Sequence, residues 1–150
     1  MMKIVIDDNS NLSQGSSGLI TGNIYFEENN EFFPEEGWND FPVIVLGWWI
    51  YSFLSFVRQN SETFEFCFME GAFKLVGVAR QNELIEIYAI HYNGHTKERK
   101  NWGYTNKKEV QNMLMKACRK LFREVTFSAI SNDRIVALKK MFGELKELQL

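Results

Sequence analysis

From Phe41 to Val57 the chain runs 17 residues without a charge, through Val43-Ile44-Val45-Leu46 and Trp48-Trp49-Ile50-Tyr51. Wound as a helix, this segment is apolar on almost every side, so it must be enclosed by its own domain or by lipid. Its length sits at the short limit of the roughly 17–25 residues that cross a bilayer. Trp48, Trp49 and Tyr51 lie mid-segment, whereas membrane helices carry such rings at their ends. The neighbouring segments are half-polar and need an apolar layer over them. The segment is therefore expected to be the central helix of a soluble fold, with no membrane span. Pro42 suits its first turn, and Asn39 or Asp40 is placed to cap it. Trp48 and Trp49 are about 100° apart on such a helix, and both are expected to be mostly buried against different neighbours.

Ile4 and Ile6 alternate with polar neighbours and predict a strand over residues 2–7. Residues 9–18, rich in Ser, Asn and Gly, read as a loop or hairpin connection. Ile20, Gly22, Ile24 and Phe26 alternate into a second strand. Residues 28–40 read as an acidic, aromatic loop. After the helix come three strands: one carrying Phe64, Phe66 and Phe68 on one face, then 73–80 and 84–92, turning at Glu70-Gly71 and Gln81-Asn82. Asn93 to Tyr104 reads as a second irregular loop, this one basic, whose Trp102 and Tyr104 pack it down.

A helix starting at Thr105 or Asn106 places Lys108, Asn112, Lys116, Arg119 and Arg123 on one face. Val110, Met113, Leu114, Ala117, Leu121 and Val125 occupy the other. Ser131-Asn132-Asp133 caps a last helix with Ile135, Leu138, Phe142, Leu145 and Leu148 at helical spacing. No repeat or linker divides the chain, and 150 residues fit one domain, 1–150. The expected fold is α+β in two layers: an antiparallel sheet of about five strands with three helices, ordered β-β-α-β-β-β-α-α, the helices mainly on one face.

A net charge of −2 conceals a strong asymmetry. Residues 1–40 set eight acids against Lys3 alone, while residues 97–150 set thirteen basic residues against six acids. Segments of opposite sign either attract each other within the fold or present separate faces to partners. Met1 to Asp8 is not expected to act as a signal peptide, because its apolar run is short and acids follow it. With Cys67 and Cys118 both in apolar surroundings, reduced thiols and a cytoplasmic location are expected.

Little in the chain points to catalysis. His91 and His95 are four apart, but a strand end and the Asn93-Gly94 turn separate them from helical metal-ligand geometry. Neither they nor the cysteines show close zinc-ligand spacing. The carboxylate pairs Glu27-Glu28, Glu35-Glu36 and Glu83/Glu86 are read as solvated, and no phosphate loop or nucleophile elbow occurs. No catalytic residue, metal or cofactor is therefore expected. The alternatives are an accessory domain, or nucleic-acid binding through the basic 97–123 segment, on the interleaving of Lys97, Arg99 and Lys100 with Trp102 and Tyr104. The overall acidity, pI near 5.8, argues against nucleic acid.

The stretch Phe33-Pro34-Glu35-Glu36-Gly37-Trp38-Asn39-Asp40-Phe41, followed by the Val/Ile run and Trp48-Trp49, resembles a pattern in small bacterial proteins grouped with the immunity proteins of polymorphic toxin systems. The resemblance spans residues 20–125 and includes no catalytic motif. It implies a non-enzymatic binder that neutralises a toxin, such as a basic toxin domain, by covering it. The residues read as partner-binding are Glu31, Phe32, Glu35, Glu36 and Trp38, where aromatic anchors stand beside acids. Phe33 and Trp38 have a second reading, as caps on the core.

Overall fold

The uncharged segment forms α1 (Pro42–Arg58), and it holds two sheets together. The computed structural model describes residues 1–8, 13–14, 19–125 and 133–150. Ahead of α1 lie β1 (Lys3–Ile6), β2 (Ser13–Gln14), β3 (Ile20–Glu28), β4 (Glu31–Phe33) and β5 (Asn39–Asp40). After it come β6 (Thr63–Cys67), β7 (Phe73–Ala79), β8 (Ile85–Asn93), β9 (Thr96–Thr105), α2 (Lys107–Glu124) and α3 (Asp133–Glu147). In the first sheet β1, β2, β4 and β5 all pair antiparallel with β3. The second is an antiparallel meander, β6-β7-β8-β9. The α+β class and the three helices agree with the sequence reading, but the strands divide between two sheets instead of forming one. Accordingly the helices do not share one face: α1 packs on β6 and β3, α2 lies beside β1, and α3 packs on α1.

The two sheets meet through aromatic rings. Trp49, fully buried, stacks on Phe26 of β3 at 4.8 Å and on Phe66 of β6 at 5.7 Å, with Phe68 edge-on at 5.3 Å. Phe64, Phe66 and Phe68 all face this core, as their alternation predicts. Across the ladder from Phe64 is Gly77, over which the Phe64 ring lies so closely that a Cβ there would sit 2.2 Å from it. Only glycine admits this approach without displacement.

α1 also seals the outer edge of β6. Ser52 Oγ accepts the Glu65 backbone N–H at 3.0 Å, and Trp49 Nε1 donates to the Cys67 carbonyl at 2.7 Å. Both are strand groups that point away from β7 and need partners once water is excluded. No helix among the described residues is long and apolar enough to cross a membrane.

Several local expectations change. Trp48 is 44% exposed while Trp49 is 0%, because the roughly 100° between them carries Trp48 away from the two sheets to a side that the described residues cover only in part. Asp40 is buried but does not cap α1: Phe41 occupies the cap position without a side-chain bond. The Asp40 carboxylate instead accepts the Phe41 N–H at 2.8 Å, the Trp38 indole N–H at 2.9 Å and the Met69 N–H at 3.3 Å. It thereby ties the loop before α1 to the end of β6. The basic segment expected to be irregular is β9, a ten-residue strand. Asn106 does cap α2, its side chain accepting the Glu109 N–H at 2.9 Å. Most of the 9–18 connection, and Ser131 and Asn132 of the last predicted cap, lie outside the described residues.

Candidate functional site

The acidic segment and the basic segment meet. Glu31, at the start of β4, pairs with Lys100 of β9 at 2.8 Å. Between the two elements is an open cleft of about 500 Å³. Strand alternation builds it. Phe73, His91 and Glu98 are aligned across β7, β8 and β9, as are Leu75, Ala89 and Lys100, so all six share the face toward the first sheet. Phe33 of β4 closes the floor, edge-on to Phe73 at 6.0 Å and to Trp102 at 6.1 Å. His91 stacks flat on Phe73 at 4.3 Å, and its Nδ1 is 3.7 Å from Glu98. The result is an aromatic floor beneath a rim of opposed charges.

The five residues singled out in the sequence divide across this site. Glu31 and Phe32 line the cleft, with Phe32 edge-on to Tyr25 at 6.0 Å. Glu35 and Glu36 are exposed beside it. Trp38 is half-buried, 5.1 Å from Phe73 and 6.2 Å from Phe68, with its indole N–H spent on Asp40. Its role as a core cap is thus visible, and Phe33 is buried in the same way. Sequence reasoning missed His91, Lys100 and Trp102 as neighbours of this loop. The opposite charges of the two segments were the one signal that could have joined them.

Among the described residues no helix packs on the opposite face of the second sheet. Glu86 of β8 is buried there among long side chains, accepting from Arg80 Nε at 2.8 Å, Asn101 Nδ2 at 2.6 Å and Tyr104 OH at 3.4 Å. The Tyr88 hydroxyl and the Arg80 guanidinium hold its carboxyl below the usual carboxylate range. Arg99 lies over the Tyr88 ring at 4.5 Å, and Lys74 and Lys97 over Tyr92 at 5.6 and 5.8 Å.

α2 takes no part in this site. It lies beside β1, where Lys120 pairs with Asp8 at 2.7 Å and with Glu124 at 3.5 Å. Burial pushes the Cys118 thiol up to about 12 and raises that of Cys67 as well, so both are poor nucleophiles at neutral pH. Among the described residues no three His, Cys, Asp or Glu side chains gather to hold a metal ion. The cleft lining includes no hydroxyl or thiol that His91 could activate. An apolar floor inside a charged rim is suited to receiving a partner's side chain. No protein-family model matches the chain, and comparison with curated proteins and with solved structures finds no match.

Proposed function

We propose that the protein is a non-enzymatic binding domain that acts by covering a protein partner, with the cleft between β4 and β9 as the docking surface. The observation that carries this reading is the cleft beneath the Glu31–Lys100 rim, lined at its base by half-buried Phe73 and by the edges of the largely buried Phe33 and Trp102. Rings fixed by a core and bordered by charges are the composition of an interface anchor. Glu35 and Glu36 extend the acidic side of the rim, while Lys97 and Arg99 lie on the basic strand opposite. The partner surface that fits runs the reverse way, with its basic part against the β4 loop. A basic toxin domain meets that description, in keeping with the resemblance to immunity proteins, and acid-rich rims speed such encounters. The nucleic-acid alternative has less support, because the cations of β9 and those of α2 lie on separate elements, with Lys120 already paired.

Affinity capture from the native host, followed by kinetics on the captured protein, tests the reading. Changing Glu31, Glu35 and Glu36 together to Lys leaves the fold intact, since exposed charges contribute little. It is expected to slow association about tenfold or more at low salt. Unchanged kinetics would remove the β4 side of the cleft from the interface.

A further inference from the structure

Among the described residues β9 is an unpaired sheet edge. The Tyr92 N–H donates to the Ala72 carbonyl at 2.8 Å, on the β7 side. Antiparallel strands alternate between residues that bond a given neighbour and residues that turn away from it. Tyr92, Ile90 and Tyr88 therefore turn their backbone groups away from β9. Lys97, Arg99 and Asn101 stand opposite those three, so their own N–H and C=O groups point outward, away from β8. Among the described residues nothing pairs with these groups, and residues 96–101 are all exposed. The other edge of this sheet, β6, is sealed by Ser52 and Trp49.

We infer that β9 takes up an extended segment of the partner as a fifth strand, with side chains alternating between apolar and acidic. The inference rests on the binding reading above and specifies the contact. Side chains of an added strand alternate between its two flanks. On one flank they lie over the cleft, whose floor is Phe33 and Trp102. On the other they meet the face carrying Lys97 and Arg99. Lys74 and Arg80 on that face are neutralised by Glu65 and Glu86. Among the described residues Lys97 and Arg99 have tyrosine rings beneath them and no paired carboxylate, so carboxylates complement them. A register shift opposite Glu86 and Tyr88 interrupts the β8–β9 ladder, and Gly103 there has φ +91°. The regular edge on offer is Thr96 to Asn101. Charges along an edge also deter indiscriminate strand pairing; the two roles differ in how the edge treats a complementary strand.

The probe is a capped seven-residue peptide, Glu-Val-Glu-Phe-Glu-Val-Glu, titrated into the labelled full-length protein and followed by amide NMR. A control peptide has the same composition with its acids in one block. The alternating peptide is expected to shift Lys97, Arg99, Asn101 and the Trp102 indole, to slow exchange of the three amides, and to bind about fivefold tighter or more than the control. Arg99→Pro removes an outward donor while sparing the β8 ladder. It should weaken binding about tenfold or more, and Arg99→Ala, which removes only the charge, about threefold. Amide shifts outside β9 check the fold of Arg99→Pro, and Lys97→Pro replaces it if that fold is lost.

Equal binding of the two peptides, equal effects of Pro and Ala, or the same shifts produced by oligo-dT with none from the peptide would overturn the inference. A captured partner that binds Arg99→Pro as tightly as wild type would overturn strand addition and leave the cleft reading standing. A partner indifferent to the triple charge reversal would count against the cleft reading itself.

Discussion

The two edges of the second sheet are protected in different ways. β6 is covered by structure: α1 lies along it, and Ser52 and Trp49 satisfy two of the backbone groups that β7 does not reach, the Glu65 N–H and the Cys67 carbonyl. Among the described residues β9 has no such cover, and its exposed run Lys97-Glu98-Arg99-Lys100 is charged throughout. An edge closed by packing is committed to the fold. An edge guarded by charge remains available, because a partner of opposite charge can displace the water and pair with it. Stability should therefore concentrate at β6, and binding at β9.

The largest test of that division is Trp49→Ala, expected to cost about 3–5 kcal/mol in urea denaturation, as buried aromatic truncations do. Trp49→Phe keeps the ring packing and loses the bond to the Cys67 carbonyl, which should cost about 1–3 kcal/mol. Gly77→Ala forces a methyl into the Phe64 ring and should cost about 1–3 kcal/mol as overpacking. Combining it with Phe64→Leu should recover part of the loss, and a double-mutant cycle reads the coupling. Ser52→Ala removes the acceptor for the Glu65 N–H, for about 1 kcal/mol.

On the open edge, Lys97→Ala and Lys100→Ala should each stay within about 0.5 kcal/mol of wild type. If these cost as much as Ser52→Ala, the contrast between the edges fails.

Acid unfolding sharpens the comparison at the joint between β8 and β9. Because the Glu86 carboxyl is held below its ordinary value of 4.5, its ionised form favours the folded state. That contribution is complete above the ordinary value and is lost as pH falls through the lower, folded one. Glu86→Gln should flatten this part of the stability profile, measured by thermal melts across the acid range.

What could be read from the sequence follows burial. The uncharged run announced α1, alternation placed Phe64, Phe66 and Phe68 on the core face, and helical spacing separated the two faces of α2. β9 escaped because an edge strand exposed on both flanks buries almost nothing: Lys97 through Asn101 show no alternation, and only Trp102 turns inward. A hydropathy pattern reports burial and is blind to hydrogen bonding, which is what makes that segment a strand. Trp48 was misplaced for a related reason, since spacing says that two rings diverge but not which one a second layer will reach. Of the candidate site, Glu31 and Phe32 were picked out by composition but read as loop residues, whereas they form β4, paired to β3. That Lys100 and Trp102 are their neighbours was not legible, because the pairing is made by two sheets packing together and leaves no local trace in either segment.

Amide hydrogen exchange of the free protein tests the contrast between the edges most directly. The account predicts strong protection of the Glu65 amide. Lys97 and Arg99 should exchange close to the rate of an unstructured chain, while Glu98 and Lys100, which turn toward β8, are protected. Protection of Lys97 and Arg99 equal to that of Glu65 would mean that the β9 edge is already covered, and would contradict it.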